Sequence, residues 1–316
     1  DLQSLSYMPG MGFNVPSPTR PQVRVGEGLA GNVILKQHTI RINDLQNAPE
    51  ARNDPLVKRE GFVTYIGIPL IVKSQMKGVF EVFQRSALSP TPDWMEFLHT
   101  LAGQAAIAID SSQLFENLQR SNQELLLAYD TTLEGWARAL ELRDRETEGH
   151  TRRVTELTLR LARYMGVSEN EMVNIHRGVL LHDIGKMGVP DHILKKRGKL
   201  TKEEWVEMGQ HPVYAYNLLS PISFLRGVLD IPYCHHEHWD GGGYPRGLKG
   251  EQIPLSARIF SVVDNWDALL SDRPYRKAWP RKKVVKYLKE TAGKVLDPRI
   301  VEIFLTMMEK EEKQTG

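Results

Sequence analysis

Apolar positions along the chain follow two different rhythms. Over the first hundred residues they come in short runs, at 23–25, 33–35, 39–42, 62–72 and 78–83, rich in β-branched and aromatic side chains and separated by Gly, Pro, Asn and Asp. Runs of this length bounded by turn-forming residues predict strands. Pro90, Thr91, Pro92 and Asp93 then end the strand texture and supply a helix start. From Trp94 to about Arg145 there is no proline, and apolar residues recur at helical spacing. Leu118, Leu125, Tyr129 and Trp136 fall near one seam with Asn122 inside it. That seam fits a short parallel coiled coil, and it fits equally a pair of ordinary amphipathic helices broken near Gly135. Beyond Leu133 the pattern stays helical to the end, with breaks at Gly166, 185–190, Pro212, Pro221 and 241–243, and residues 309–316 read as a solvated, frayed tail. The expectation is a small α+β module, a helical connector and a larger all-α module, with no internal repeat.

Length and composition agree with that division. The chain has 316 residues, about twice the usual ~150 of one domain. With 41% hydrophobic and 25% charged residues it has the make-up of a globular protein able to bury a core. A net charge of +2 gives no electrostatic basis for binding a nucleic-acid polymer. The single cysteine, Cys234, excludes an intrachain disulfide framework and a thiolate metal cluster, and fits a reducing cytoplasm. No run approaches the ~18 apolar residues that would span a bilayer, and no signal-peptide pattern opens the chain. The first residue is Asp1 rather than Met, so a segment of a longer protein is expected and an upstream membrane segment is left open.

One phosphate-binding pattern is a decoy. Gly26, Gly28 and Gly31 spell G-x-G-x-x-G, and Asp44 lies roughly where a ribose-binding acid would be sought. Only about ten residues separate this loop from the next strand-like run, too few for a full βαβ unit. A turn-and-packing role is expected instead.

The histidines point to chemistry. Eight of the ten, at 150, 176, 182, 192, 211, 235, 236 and 238, lie within residues 150–238. Glu146 and His150 are four apart in a helical stretch, so both face one side and can reach one ion. His182 and Asp183 end an apolar helix, where a buried carboxylate needs a charge partner or a metal. Gly185 lets the chain turn there, and Lys186, one turn on, is within reach of a phosphate. His211 precedes Pro212, so its helix is broken or restarted; His235 and His236 precede a glycine-rich loop; Asp264 follows an apolar stretch, with Asp267 three residues later. Taken singly, each is more simply structural. Together Glu146, His150, His182, Asp183, His211, His235, His236 and Asp264 form an N/O donor set suited to iron, manganese or zinc. Eight donors exceed what one ion with an open position uses, and suit two or three ions with Asp183 as a bridge.

Residues 136–300 resemble the HD-GYP domain, a branch of the HD metal-dependent phosphohydrolases. The resemblance is carried by His182, Asp183, Gly185 and Lys186; by 190–194, His211, 235–245 and 254–259; and by Asp264, 267–271, Arg273 and Arg276. It implies an all-helical fold and a phosphodiesterase that hydrolyses cyclic di-GMP to pGpG or onward to GMP. It further implies two or three divalent ions, commonly iron with manganese as an alternative, on the eight residues named above, with Glu146 serving a third ion. It places Asp183 and Lys186 in catalysis, and Lys186, Gly243, Tyr244, Asp267, Arg273 and Arg276 at the substrate. Gly243 permits close backbone approach, Tyr244 offers a stacking face and a hydroxyl, and Pro245 stiffens the loop. Arg273 and Arg276 present forked donors to phosphate, although Arg276 can equally pair with Asp272 or Asp267. Two positions depart from the family pattern: the residue class after His211 lacks a common glycine, and Trp266 replaces a smaller aromatic. Altered packing rather than lost catalysis is expected from both.

Residues 1–110 are similar to a GAF domain, through 25–31, 42–44, 68–70, 78–82 and the helix 98–114. That similarity implies a sensory, often dimerising module whose ligand the sequence does not name. The resulting division is 1–110 sensory, 111–135 linker, 136–316 catalytic, in a homodimer. Competing expectations are an HD phosphohydrolase of another nucleotide, against which residues 243–245 argue, and a cyclic di-GMP receptor that does not cleave.

Overall fold

The computed structural model describes residues 4–5, 10–14, 23–52, 54–144, 149–196, 198–272 and 277–315. Glu146, Arg273 and Arg276, three of the expected site residues, lie outside them. The chain divides into two compact units, Asp1–Glu124 and Leu125–Gly316.

The first unit is built on a three-stranded antiparallel sheet, β3 (Ile40–Ile42), β4 (Thr64–Val72) and β5 (Gln75–Gln84), in that order. β4 is continuously buried over 64–68, with successive side chains pointing to opposite faces of the sheet. Tyr65 packs with α1 (Gly28–Lys36) and α2 (Pro55–Glu60) in a cluster that includes Leu29, Val33, Leu56 and Phe62. Ile66, Ile68 and Leu70 pack on the other side against Leu98, Ala102 and Ala106 of α3 (Pro92–Asp144). β1 (Ser4–Leu5) and β2 (Val23–Arg24) form a separate antiparallel pair.

Two sequence expectations change here. Residues 33–35 are helical, not a strand: in α1, Leu29, Ala30, Val33 and Ile34 are buried at helical spacing, and this amphipathic fit outweighs the β-branched composition. A helix therefore does follow the glycine pattern. Even so, the strands around it are antiparallel and belong to different sheets, so no βαβ unit forms. Gly31 is a packing glycine, since a Cβ there would lie 2.3 Å from the Arg24 carbonyl.

α3 runs unbroken through Gly135, so the alternative of two helices broken there is not how the chain folds. Leu118, Leu125, Tyr129 and Trp136 are all exposed on it.

The second unit holds the C-terminal turns of α3 and α4 (His150–Tyr164), α5 (Glu169–Leu180), α6 (Asp191–Leu194), α7 (Lys202–Met208), α8 (His211–Leu219), α9 (Asp230–Cys234), α10 (Leu255–Leu270), α11 (Arg281–Thr291) and α12 (Pro298–Thr315). Its largest core joins Val154 and Leu161 of α4, Ile175 and Val179 of α5, Ile259, Phe260 and Val263 of α10, Val284 and Leu288 of α11 and Phe304 of α12. Trp266 belongs to this core, edge-on to Phe304 at 5.2 Å, so the departure at this position is a packing change. Among the described residues no helix is long and apolar enough to cross a membrane.

Candidate metal centre

Four helix ends and one helix face deliver the site. α5 is capped by Ser168, buries Met172, Ile175 and Val179, and ends at Leu180. Leu181 and Ile184 are buried beyond it, which draws His182 and Asp183 inward between them. Gly185 matters here for space: a Cβ would lie 1.8 Å from the His211 carbonyl, so only glycine lets the start of α8 lie against this turn. Pro212 sits in the first turn of α8, where a missing N–H costs nothing, and His211 begins that helix. α9 ends at Cys234 and releases His235 and His236, with the Ser261 hydroxyl donating to the His235 carbonyl at 2.9 Å. α4 starts at His150, and α10 carries Asp264 and Asp267 on one face, three residues apart.

Seven of the eight expected donors come together; Glu146 is the one outside the described residues. His211, His235 and His236 each place a ring nitrogen within 4.8 Å of the others. Asp183 sits among the imidazoles: its Oδ2 is 3.1 Å from His182 Nε2, and its Oδ1 is 3.5 Å from His211 Nε2 and 3.8 Å from His235 Nε2. The His150 and His182 rings are 5.8 Å apart, and His150 Nε2 is 3.5 Å from Asp264 Oδ1.

The tautomers decide what the cluster can hold. His182 Nδ1 lies 2.7 Å from the Val179 carbonyl, His211 Nδ1 2.8 Å from that of Met208, and His235 Nδ1 3.0 Å from that of Ile231. A carbonyl only accepts, so each Nδ1 carries the proton and each Nε2 presents a lone pair. His211 Nε2 and His235 Nε2 face each other at 3.4 Å, two lone pairs that need a cation or a proton between them. Burial, with His236 and His211 beside it, holds His235 well below the usual imidazole range. Burial and the neighbouring His211 lower His236 to about 3, and burial also lowers His211. Protons are thus refused, and a metal ion is the cation that fits buried, neutral imidazoles with a carboxylate among them. Burial alone would raise the Asp183 carboxyl, but the Lys186 ammonium, foremost among its polar neighbours, helps to hold it well below the carboxylate range.

Four supporting groups, Arg143, Asp144, Arg153 and Glu237, were not visible as site residues in the sequence. Lys186 Nζ lies 2.7 Å from Asp183 Oδ2 and 2.6 Å from Asp144 Oδ2, near the end of α3. Arg143 donates to the carbonyls of Lys186 (3.3 Å), Met187 (2.8 Å) and Val189 (2.9 Å), and to Asp191. The last turn of α3 therefore clamps the segment that bears Asp183 and Lys186. Glu237, 2% exposed, accepts from the backbone N–H groups of Arg246 (2.7 Å) and Leu248 (2.9 Å), which fastens the 241–248 loop. Gly243 lies so close to the main chain that a Cβ would be 2.3 Å from His238 N. Tyr244 stacks on His236 at 4.8 Å and 24°, so one face of the ring is already used. Burial and the Asp183 charge push its hydroxyl up to about 12, so it keeps its proton. Asp267, which the resemblance places at the substrate, lies 2.7 Å from His150 Nδ1 and accepts from Arg153 Nε at 2.7 Å. No spacing rule marks Arg143, Arg153 or Glu237, since the two arginines act across the fold and Glu237 on main-chain N–H groups of the loop that follows it.

Residues 135–300 match the family model of the HD domain, and residues 8–110 match that of the GAF domain. The chain is 44% identical over 173 residues to a cyclic di-GMP phosphodiesterase of Thermotoga maritima, an alignment covering 54% of this chain and 47% of that protein. It is 44% identical to the cyclic di-GMP phosphodiesterase response regulator RpfG of Xanthomonas campestris, over 55% of this chain and 47% of the relative. A 3'3'-cGAMP-specific phosphodiesterase 2 of Vibrio cholerae is 35% identical over 63% of this chain and 37% of its own length. The chain spans about half the length, or less, of these relatives.

Proposed function

We propose a reaction from one premise: this chain belongs to the HD-domain family, with a GAF domain before the HD domain. The reaction is hydrolysis of cyclic di-GMP to pGpG, and onward to GMP, by residues 136–316 in the cytoplasm. The observation that carries it is the convergence of imidazole Nε2 lone pairs around Asp183. The two relatives at 44% identity are named for this substrate, which supports the same reading.

His150, His182, Asp183, His211, His235, His236 and Asp264, with Glu146, would hold two or three divalent ions, iron first and manganese second. Bound there, such ions supply acidified water and offset charge on phosphoryl oxygens. In the net reaction a water oxygen bonds to phosphorus, the bond to the 3'-oxygen breaks, and a proton ends on that oxygen. Lys186 stands at the cluster with its ammonium 2.7 Å from Asp183, placed to attract a phosphate oxygen that enters beside it. The Tyr244 hydroxyl, protonated throughout the working range, is a hydrogen-bond donor at the rim. Arg273 and Arg276 complete the phosphate contacts in this reading. Positioning and electrostatics suffice for phosphoryl chemistry, which asks little covalent help of a protein.

Residues 1–110 act as the sensor, for a ligand not named by the sequence, and 111–135 as the connector in a homodimer whose seam contains Leu118, Leu125, Tyr129 and Trp136. Two features support regulation: these apolar residues are exposed on α3, and the same helix ends in the Arg143 clamp on the catalytic segment.

A second reading replaces one guanine by adenine, as the name of the Vibrio cholerae relative suggests. The experiment is product chromatography with cyclic di-GMP and 3'3'-cGAMP on anaerobically purified protein of known metal content. Faster turnover of cyclic di-GMP upholds the first reading, faster turnover of 3'3'-cGAMP the second. Turnover of neither, with metal present, rejects both.

A further inference from the structure

Asp267 and Arg153 stand beside the cluster without being among its expected ligands. We propose that Asp267, held by Arg153, is a positioning residue that sets the tautomer and aim of His150 as a metal ligand, and is not a substrate contact. The inference rests on the metal-centre reading above and deepens it.

Asp267 is 8% exposed. Its Oδ2 is 2.7 Å from His150 Nδ1, across 117 positions of sequence. Arg153 Nε donates to Oδ1 at 2.7 Å, and a terminal guanidinium nitrogen donates to Oδ2 at 2.9 Å and to Ser271 Oγ at 3.2 Å. The Ser271 hydroxyl also lies 3.5 Å from Oδ2. Both carboxylate oxygens are thus committed to side chains of α4, and the fork of Arg153 fixes the plane of the carboxylate.

Within the cluster, His182, His211 and His235 rest Nδ1 on main-chain carbonyls three or four residues earlier. His150 receives the same service from a carboxylate of another helix. The effect on the ring is identical: the proton stays on Nδ1, and the Nε2 lone pair faces Asp264 Oδ1 at 3.5 Å. One face of α10 therefore addresses both nitrogens of one imidazole, with Asp267 on Nδ1 and Asp264 at Nε2. A charged acceptor also makes the imidazole a better donor to a metal.

The separating variant is Asp267→Asn. Arg153 would claim the single amide oxygen, so the amide NH2 would face Nδ1 and move the ring proton to Nε2, which removes the lone pair. Chelator-stripped protein is titrated with manganese(II) by calorimetry, and KM for cyclic di-GMP is measured at saturating manganese. The expected result is a metal affinity lower by about 10–100-fold, with KM within about twofold of the parent once the metal is saturating. Arg153→Lys keeps the charge but loses the fork, and its metal affinity should fall between those of the parent and D267N. It also serves if D267N does not fold, as judged by circular dichroism. Unchanged manganese affinity in either folded variant, or a raised KM with affinity intact, overturns the proposal. Normal metal behaviour in a parent protein that cleaves no cyclic dinucleotide would instead reject the proposed reaction and leave this inference standing.

Discussion

Glu60 in the first unit and Asp183 in the second are both carboxylates removed from water, and their surroundings differ in kind. Glu60 is closed on itself. Arg85 pairs with its carboxylate and donates to its main-chain carbonyl at 3.0 Å, and the Asn14 N–H adds a bond of 3.0 Å. The Arg85 guanidinium also lies over the Phe62 ring at 5.0 Å. One acid, one fork and an aromatic lid leave nothing for a ligand to do. Beside Asp183 stand the Lys186 ammonium and three imidazole Nε2 atoms, at least two of them on rings whose proton a main-chain carbonyl holds at Nδ1. A buried acid beside a fitting base is a structural device, whereas a buried acid among lone pairs is a binding site. Burial of charge alone would not have separated the two.

That contrast can be broken experimentally, beginning where the effect is largest. Asp183→Ala removes the group at the centre of the imidazoles. Turnover of cyclic di-GMP should fall by about 10³-fold or more, several kcal/mol at about 1.36 kcal/mol per decade, and metal content should fall with it; steady-state rates and elemental analysis check this. Arg85→Met removes the cation that pairs with the buried Glu60 carboxylate. Thermal melts should show a loss on the order of 3 kcal/mol confined to the first unit, with metal content unchanged. If R85M also strips the metal, the two carboxylates are not as separate as their surroundings indicate.

Arg143→Met comes next. It deletes donors to three main-chain carbonyls around Lys186, which should cost about 1.5–3 kcal/mol of stability. It should lower kcat by about tenfold through misplacement of Asp183 and Lys186; melts and steady-state rates report the two effects separately.

The histidine cluster also makes a pH prediction for metal-free protein. Folded His211, His235 and His236 resist protonation, His236 until about pH 3, whereas the unfolded chain takes up protons near pH 6.5. The unfolded state therefore binds more protons in that window. Stability should fall as the pH is lowered from about 6.5 toward 3, by up to about 1.4 kcal/mol per pH unit for each histidine. Asp183 and Asp267, held low in the folded state, add a further loss as pH drops below about 4. Denaturant melts across pH measure the slope. The smallest effect belongs to Glu251→Gln, which breaks an ion pair with Arg299 whose side chains are 69% and 61% exposed. Thermal melts of the variant and the parent should coincide, because an ion pair this exposed adds little to stability.

Much of this was legible in the residues, and the remainder failed for identifiable reasons. Gly185, His182 and Asp183 announced a turn at a helix end, although the glycine proved to be required for close packing against His211 rather than for a bend. The long helix was visible in its spacing and its lack of proline, and Gly135 did not break it. Val33 and Ile34 have the composition of a strand, yet with Leu29 and Ala30 buried one turn earlier they form the inner face of a helix. Tyr244 offers a stacking face by its residue type alone, whereas the stacking of one side of its ring on His236 is visible only in the fold. The groups that hold the site, Arg143, Arg153 and Glu237, act on partners distant in sequence or on main-chain atoms. Neither periodicity nor motif spacing encodes such contacts.

The central claim, that the Asp183 cluster binds metal in order to hydrolyse a cyclic dinucleotide, is tested most directly on one anaerobic preparation. Its metal stoichiometry and its conversion of cyclic di-GMP to pGpG or GMP are measured before chelation, after chelation, and after metal is restored. The account predicts at least two ions per chain, loss of product when they are removed, and recovery when iron or manganese returns. Undiminished product from fully chelated protein would contradict it.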